Sequence, residues 1–320
     1  CVFIADLCNK ATADGKTTPI NGKRWHAQYP ELGTGPVPIA PYISPAYFAL
    51  ERECIFRRVW LNVGREEEMP QPGDYLVKDL AVCNTSILVV RGKDGSVRAF
   101  HNICSHRGNK LVWAGRGSCQ AFACKFHGWT YNTKGQLTFV PAEDNFFAFD
   151  KKEHSLTPVA ADTWAGFIFI HLDPQPAESL REYLGEWGEQ LQGYPFAETS
   201  VTCSSWTTTV RANWKTIRDA FQEGYHVAFL HKRSMPDSLT SPSNPLCHGL
   251  DFTLYPRHHR MSVYGNPAHQ PTAVEALPGD AQRLLYLTLS LAEIAPAVEL
   301  FEQPSVPDEY EVARFVLLHT

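Results

Sequence analysis

Two short segments, each pairing a cysteine with a histidine, constrain this chain more than any other feature of its sequence. One residue separates Cys104 from His106, two separate Cys124 from His127, and 17 residues, 107–123, lie between the pairs. Thiolates and imidazoles are ligands of tetrahedral zinc and of iron–sulfur clusters. If all four side chains bind one centre, the fold has to hold two loops side by side.

The order of the ligands and the residues that follow them favour a two-iron cluster, with a structural zinc site as the alternative. Cysteine precedes histidine in both pairs, so one iron would receive two thiolates and the other two imidazoles. Gly108 and Gly128 follow the pairs, and glycine lets backbone amides approach bridging sulfides. Trp129 can shield such a site from water, whereas Cys119 in the spacer has no pairing partner and is interpreted as a packing residue.

The chain around these loops has the pattern of a small all-β unit. Apolar runs at 87–90 and 97–101 flank a turn at 93–95, which predicts a hairpin, and a second turn is expected at 134–135. An apolar strand at 164–172 closes the unit. Such runs are far shorter than the roughly 20 residues that cross a bilayer. We therefore expect a soluble protein.

Composition narrows the functional classes. The 320 residues, 44% of them apolar, are enough for about two domains with packed cores. The net charge of −5 lacks the basic surplus of proteins that bind nucleic acid or anionic membranes. Nine cysteines scattered along a chain too long to need disulfides favour a reducing, cytoplasmic compartment. Small molecules and other proteins are the expected partners.

The sequence divides into three predicted segments. An arm rich in Gly, Pro and Thr covers residues 1–43. A first domain of residues 44–172 opens with a helix at Ser44, a capping residue that precedes a proline. Asp-Pro-Gln-Pro at 173–176 interrupts the chain and marks the boundary to a second domain, 173–320.

The second domain carries another candidate site, Glu223-x2-His226-x4-His231. Asp219 and Glu223 lie beside the apolar face of an amphipathic helix. On a straight helix the two histidines would point about 140° apart, because each residue advances about 100°. We therefore expect the helix to bend or end near 227–230, so that both rings can bind one metal. Two surface histidines on an ordinary helix are the alternative.

Together these motifs resemble those of one enzyme family. Cys-x-His-Arg-Gly at 104–108 and Cys-x-x-His-Gly-Trp at 124–129 are similar to the Rieske [2Fe-2S] motif. Asn-Trp-Lys at 213–215 precedes the acid and the two histidines, as in the family's mononuclear-iron motif. The chain thus resembles the terminal oxygenase (alpha) subunits of Rieske non-haem iron oxygenases, the aromatic ring-hydroxylating dioxygenase family.

The resemblance implies a fold, two cofactors and a role for each motif residue. The fold class is α+β, with an all-β Rieske domain and a helix-grip (START-like) catalytic domain containing a curved antiparallel sheet. The cofactors are a [2Fe-2S] Rieske cluster and a mononuclear Fe(II). The implied cluster ligands, and the residues beside them, are Cys104, His106, Cys124, His127, Arg107 and Trp129. The implied iron ligands and acids are His226, His231, Glu223 and Asp219.

Of these acids, Glu223 matches the residue that links a Rieske histidine of one subunit to an iron ligand of its neighbour. Asp219 matches a family position that often holds an acid or amide, and a helix-surface charge is an equal interpretation.

The third iron ligand of the family is a late carboxylate, on the order of a hundred residues or more beyond the histidines. Only 89 residues follow His231. We therefore expect the third ligand to lie beyond Thr320, so that the catalytic domain is incomplete at its carboxyl end. No late acid of the sequence is assigned to the iron (Glu299, Glu302, Asp308, Glu309 and Glu311).

The implied function is a terminal oxygenase that uses O2 and electrons from an NAD(P)H-dependent reductase, a ferredoxin or both. The chain has no Gly-rich nucleotide motif of its own. The leading expectation is cis-dihydroxylation of an aromatic or other apolar ring, by a homotrimer with or without a beta subunit. Glutamate at position 223 resembles family members that act on quaternary ammonium compounds, so monooxygenation or N- or O-demethylation is the first alternative. A non-enzymatic zinc or electron-transfer protein is the second.

Overall fold

A computed structural model describes the region of the first motif almost continuously and the rest of the chain in parts. Two compact units are present, one formed by residues 46–201 and the other by residues 1–45 and 202–319. In the part of the chain that the structure describes, no helix is long and apolar enough to cross a membrane. The described residues are 27, 30–32, 35–191, 196, 205–221, 226–231, 251–255, 257–262 and 314–318.

The unit of residues 46–201 is built on a seven-stranded antiparallel sheet and a smaller three-stranded one. The large sheet has the order β1-β10-β9-β4-β3-β2-β5, and the small sheet the order β6-β7-β8. The strands are β1 Leu61–Arg65, β2 Asp74–Leu80, β3 Thr85–Arg91, β4 Val97–His101, β5 Arg116–Ser118, β6 Ala121–Ala123, β7 Thr130–Asn132, β8 Leu137–Phe139, β9 Pro158–Trp164 and β10 Phe167–His171.

The predicted hairpins are confirmed. Strands β3 and β4 pair around the turn at 93–95, and β7 pairs with β8 around 134–135. The segment predicted as one closing strand is instead the end of β9, a turn at 165–166, and β10. Ala165 and Gly166 both have positive φ there, so a hairpin forms where the apolar pattern alone runs on unbroken.

Strand β3 separates two hydrophobic cores. Four consecutive residues, 87–90, are completely buried, as expected for a strand covered on both faces. Leu88 and Val90 pack in the core that contains Cys104 and Cys124, and the alternate residues of β3 pack in the other core. Because successive strand residues point to opposite faces, only one face of β3 packs in the core that contains the two motif cysteines.

The helices before residue 191 are short. The helix predicted at Ser44-Pro45 begins at Pro45 and runs into a π-helical turn, Arg52–Phe56. Ser179 and Glu182 form a reciprocal capping box at the start of the last helix, which Gly185 interrupts with a non-helical conformation. In chain order the α-helices are α1 Ala40–Ile43, α2 Pro45–Glu51 and α3 Leu180–Gln190. The 3-10 turns are Pro30–Leu32, Glu66–Glu68, Ala81–Cys83, Glu143–Asn145 and Lys151–His154.

Beyond residue 202 the described residues of the other unit form two strand pairs and two α-helices, and α1, Ala40–Ile43, also belongs to this unit. The sequence predicts a Thr-rich alternating strand at 201–211 and another strand at 311–319. Strand β11, Ser205–Thr209, pairs with β14, Arg314–Leu318, which confirms both. Strand β12, Asp251–Leu254, pairs with β13, His259–Ser262. The helices are α4 Trp214–Ala220 and α5 Val227–Leu230. The helix expected at 281–295 lies outside the described residues.

The amino-terminal arm, residues 1–43, is predicted from its composition alone. Its last four residues, Ala40–Ile43, form α1. A proline in the first turn of α1 tolerates helical geometry, because the missing N–H would be unsatisfied there anyway. A composition rich in Gly and Pro therefore did not indicate this short helix.

Two turn glycines allow backbone strain to be separated from steric clash. Gly95 and Gly135 have nearly equal φ angles, 79° and 76°. A Cβ atom added at Gly95 would meet open space, whereas one added at Gly135 would lie closer than 3.0 Å to three ring atoms of Phe100. We expect Gly95→Ala to cost about 1–2 kcal/mol from strain alone. Gly135→Ala should cost about 1–3 kcal/mol more from overpacking. Urea unfolding of both variants measures the difference, and equal losses would show that the Phe100 ring yields freely.

Candidate metal centres

The two motif loops share one backbone conformation. In the first loop the Cys104 N–H donates to the Asn109 carbonyl at 2.8 Å, and in the second the Cys124 N–H donates to the Trp129 carbonyl at 2.8 Å. Each loop also closes on a glycine N–H that donates to the carbonyl of its own cysteine. Gly108 and Gly128 both have φ of 72°, a left-handed conformation that other residues rarely adopt. Each predicted glycine therefore turns its loop four residues after the cysteine.

The loops place thiols inside and imidazoles outside. Cys104 and Cys124 are 2% and 3% exposed, His106 is half-buried, and His127 is exposed. The centroids of the two imidazole rings are 4.8 Å apart. A cluster that takes two thiolates on one iron and two imidazoles on the other needs such a division. The donor set, its pairing and its burial therefore fit a Rieske cluster.

The two thiols have different electrostatic surroundings. Burial raises the pKa of Cys104, although a hydrogen bond with Tyr131 opposes the shift. Burial also opposes ionisation of Cys124, but hydrogen bonds from the backbone of Phe126 and the side chain of Asn109 outweigh it and lower the pKa of Cys124. The Asn109 amide lies 3.7 Å from the Cys124 sulfur. The surroundings of Cys124 thus favour the thiolate form, whereas those of Cys104 disfavour it.

An aromatic wall covers one side of the loops. Trp129 is 3% exposed and stacks on the His106 ring, with centroids 4.6 Å apart and planes 11° apart. His154 stacks in turn on Phe149 at 4.7 Å, and both rings meet Trp129 edge-on. Burial, followed by the charge of His127, lowers the pKa of His106, which favours the neutral imidazole that binds metals. The predicted water shield is therefore present as a packed group of rings.

Arg107 belongs to the first motif and Cys119 to the spacer, and neither is one of the rings that form this wall. The Arg107 guanidinium is 5.9 Å from the centre of the Phe126 ring, and 57% of Phe126 is exposed. Arg107 thus contacts the outer side of the second loop. Cys119 is half-buried and packs against the core that contains the motif cysteines, in line with its interpretation as a packing residue.

Sequence reasoning missed four polar residues at this site. Tyr131 is completely buried, and its hydroxyl lies 3.2 Å from the Cys104 sulfur and 2.8 Å from the Ser105 hydroxyl. Ser105 also donates to the His154 carbonyl at 2.6 Å, and Asn109 reaches Cys124 as described above. The only local signal was the position of Ser105 between two ligands, because the other partners come together through pairing of distant segments.

The second histidine pair is assembled at a helix end. The His226 and His231 ring centroids are 5.2 Å apart with planes at 64°. The sequence predicts that the helix bends or ends near 227–230, and α5 ends at Leu230, before His231, which confirms the prediction. His226 precedes the first residue of α5 and His231 follows its last. The departures from helical geometry thus lie at the histidines themselves.

The His226–His231 pair is incomplete in the part of the chain that the structure describes. No third histidine, cysteine or carboxylate joins the two rings among the described residues. Burial, followed by the charge of His226, lowers the pKa of His231 and favours its neutral, metal-binding form. The two described rings can therefore provide two ligands of an iron site, and a carboxylate would have to come from elsewhere.

Two expectations about acids at this iron site fall on parts of the chain without a described structure. Glu223 lies outside the described residues, and so does Thr320, the last residue of the sequence. The placement of the third iron ligand beyond Thr320 therefore stays a prediction. One observation on the described residues is consistent with this prediction: none of them places a carboxylate beside the His226 and His231 rings.

Asp219 has a partner that the sequence did not reveal. The Tyr42 hydroxyl, on α1, donates to the Asp219 carboxylate at 2.8 Å, and this hydrogen bond raises the pKa of Tyr42. Lys215, one turn earlier on α4, places its amine 5.5 Å from the centre of the Tyr42 ring. Asp219 is thus held to the segment before α2, within the same compact unit.

Two further histidines, His258 and His259, are interpreted from the sequence as polar strand or loop residues. His258 precedes β13 and His259 begins it. The Arg218 guanidinium lies 3.4 Å from the ring of His259, and burial followed by that positive charge lowers the pKa of His259. A cation so close would repel a metal ion. His248 and His269 lie outside the described residues.

Two Cys/His loops in a β unit, followed along the chain by a histidine pair, are features of an iron–sulfur protein with a second metal site. Residues 59–157 match the Rieske [2Fe-2S] domain family. Residues 197–287 match the family of ring hydroxylating alpha subunits, in their catalytic domain. The chain belongs to the Rieske oxygenase alpha-subunit family. These family matches confirm the predicted fold class. They also confirm both predicted cofactors, the [2Fe-2S] cluster and the mononuclear iron.

Similar proteins include both reaction types that the sequence left open. The oxygenase subunit of carnitine monooxygenase from Acinetobacter pittii is 34% identical over 59% of this chain and 51% of its own length. The large oxygenase component of a naphthalene 1,2-dioxygenase system from Pseudomonas aeruginosa is 36% identical over 59% of this chain and 42% of its own. The chain therefore spans about half the length of these curated relatives.

A solved structure supports the same relationship. A quaternary ammonium Rieske monooxygenase in complex with L-carnitine has a TM-score of 0.57 and 32% identity, over 61% of this chain and 55% of that one. Two of these similar proteins are thus named for quaternary ammonium compounds and the third for naphthalene.

Proposed function

We propose that this chain is part of a terminal oxygenase that inserts oxygen from O2 into a quaternary ammonium compound. The observation that carries the proposal is the pair of matching loops, with two buried thiols and two outward imidazoles, upstream of the His226–His231 pair. The likeness to carnitine monooxygenase supports the substrate class. Glutamate at position 223 supports it independently, because it resembles the family members that act on such substrates.

Each motif residue has a proposed role. Cys104 and Cys124 would hold one iron of the cluster, and His106 and His127 the other. His226 and His231 would hold the mononuclear iron, with a carboxylate outside the described residues. When bound, the cluster would supply single electrons and the mononuclear iron would bind and activate O2.

The chain's own residues would position and protect these centres. Trp129 and the rings beside it exclude water from one side of His106. His127, which is exposed, offers its imidazole to a partner surface, where Glu223 of a neighbouring subunit would accept a hydrogen bond from a cluster imidazole. Tyr42 holds the Asp219 carboxylate in one orientation on α4. We propose Asp219 as a second acid beside that contact.

The proposed partners and location follow from the same interpretation. Electrons would come from an NAD(P)H-dependent reductase, a ferredoxin or both, and the oxygenase would be a cytoplasmic homotrimer, with or without a beta subunit. A trimer would allow the cluster of one subunit to serve the mononuclear iron of its neighbour.

A second candidate is cis-dihydroxylation of an aromatic ring. The similarity to the naphthalene 1,2-dioxygenase component favours it, at 36% identity over 59% of this chain. Both reactions use the same metal centres, so apart from the acid at position 223 they differ in the substrate cavity rather than in the motifs described above.

Substrate-dependent oxygen uptake would distinguish the two reactions. The iron-loaded protein, supplied with a reductase and NADH, is expected to consume O2 with carnitine and to leave naphthalene unchanged. Mass spectrometry of the products provides the second readout, because a cis-diol retains both atoms of labelled O2 and monooxygenation retains one. Uptake with naphthalene alone, together with a doubly labelled diol, would reject the quaternary ammonium proposal.

A further inference from the structure

The Tyr131 hydroxyl lies where three polar groups of the first motif loop meet. Its oxygen is 3.2 Å from the Cys104 sulfur, 2.8 Å from the Ser105 hydroxyl and 3.2 Å from the Ser105 backbone nitrogen. The phenol itself is completely buried. A tyrosine phenol carries its proton at neutral pH, so the hydroxyl can act as a donor. Tyr131 has one proton, and two acceptors lie within its reach.

The hydrogen bonds of Ser105 decide which acceptors compete for that proton. The His154 carbonyl can only accept, so the Ser105 hydroxyl must donate its single hydrogen to it at 2.6 Å. The Ser105 oxygen is then left with lone pairs and can only accept from Tyr131. The Ser105 backbone N–H donates to the Tyr131 oxygen. The serine hydroxyl and the Cys104 sulfur therefore compete for one phenolic proton.

The fold keeps the competing serine in place. His154 ends a 3-10 turn, Lys151–His154, whose first residues are capped by the Asp150 side chain. The His154 ring is fixed by stacking on Phe149 and by an edge contact with Trp129. The His154 carbonyl is thus a stationary acceptor for Ser105. The serine hydroxyl cannot turn toward Tyr131 as a donor without losing its hydrogen bond to that carbonyl.

We propose that Ser105 is a positioning residue that withholds part of the Tyr131 hydrogen bond from Cys104 and so lowers the reduction potential of the cluster. The proposal rests on the proposed role of Cys104 as a cluster ligand. Hydrogen bonds to ligating sulfurs raise the potential, because they stabilise the additional negative charge of the reduced cluster. The serine oxygen at 2.8 Å and the larger sulfur atom at 3.2 Å are both at ordinary hydrogen-bond lengths, so the two acceptors share one proton and the sulfur receives only part of that stabilisation.

The proposal predicts shifts of opposite sign for the two hydroxyl deletions. Tyr131→Phe removes the donor and should lower the midpoint potential, by about 59 mV if the reduced-to-oxidised ratio at a fixed potential changes about tenfold. Ser105→Ala removes the competitor and should raise the midpoint potential, with a ratio change of about threefold. In the double variant, Ser105→Ala should add nothing to Tyr131→Phe, because no phenolic proton remains to be shared.

A potentiometric titration of the cluster's visible absorption, at one pH and without substrate or reductase, tests this. Ser105→Thr keeps a hydroxyl and should keep the original potential. Ser155→Ala is the matched control, because the Ser155 hydroxyl donates to a nearby carbonyl, that of Lys152, and should also leave the potential unchanged. If Ser105→Ala fails to assemble a cluster, Ser105→Gly provides the same deletion.

The outcomes separate this proposal from the proposed function. A lower or unchanged potential in Ser105→Ala, with the cluster intact, would overturn the competition while leaving the oxygenase proposal standing. An upward shift from Ser105→Ala that persists in the Tyr131→Phe background would also overturn it. A colourless, zinc-containing protein would reject both.

Discussion

Replacing His226 by alanine is expected to abolish oxygen uptake and remove the mononuclear iron while leaving the visible spectrum of the cluster intact. The His226 and His231 rings lie 5.2 Å apart, at the two ends of α5, and one imidazole cannot hold iron as two do. Loss of groups that merely orient a ligand costs about 10–100-fold in metal affinity, so losing a ligand should cost at least as much. The cluster ligands belong to the other compact unit and should be unaffected.

Iron analysis and absorption spectroscopy on the same sample check this prediction. His259→Ala is the matched control, because His259 lies beside the Arg218 guanidinium and is not a proposed ligand. The control should retain both kinds of iron. Loss of the cluster spectrum in His226→Ala would show that the two sites are not independent. Unchanged mononuclear iron would mean that the histidine pair is incidental.

Replacing Cys124 by alanine should remove the cluster altogether. Cys124 is 3% exposed, and hydrogen bonds from the protein lower the pKa of its thiol, so its loss deprives one iron of the better-prepared thiolate. The expected result is a colourless protein that lacks acid-labile sulfide and does not turn over. The unsubstituted chain should be brown, with about two sulfides per chain.

Cys119→Ala provides the control for Cys124→Ala. Cys119 is half-buried and packs against the same core, so its substitution disturbs a neighbouring thiol without removing a proposed ligand. It should keep the colour and the sulfide. If the unsubstituted chain is itself colourless and contains stoichiometric zinc, the structural zinc alternative holds and the oxygenase proposal is wrong.

Features that depend on neighbouring residues could be predicted from the sequence. The start of α2 at Pro45 follows from a capping serine before a proline. The hairpin of β3 and β4 follows from two apolar runs on either side of a short turn. The shared geometry of the two motif loops follows from a glycine four residues after each cysteine. Local rules of this kind hold because the interacting atoms are only a few bonds apart.

The break in helical geometry between His226 and His231 could be predicted only approximately. The 140° argument requires that helical geometry fails near 227–230. The residue at which the helix ends depends on what packs around the segment. Helix α5 is four residues long, far below the roughly 12–15 residues that sustain a helix alone in water, so tertiary contacts decide where it begins and ends.

By itself, the sequence determined the residue types and pairing of the proposed ligands and the family, because ligand chemistry and loop spacing depend on a few adjacent residues. Only the tertiary structure decided which polar groups lie beside those residues. Ser105 meets the carbonyl of His154, 49 residues away, and Tyr42 meets Asp219, 177 residues away. Such contacts arise when strands and helices pack, and the hydrogen-bond partner of a polar side chain is set by that packing rather than by its neighbours in the chain.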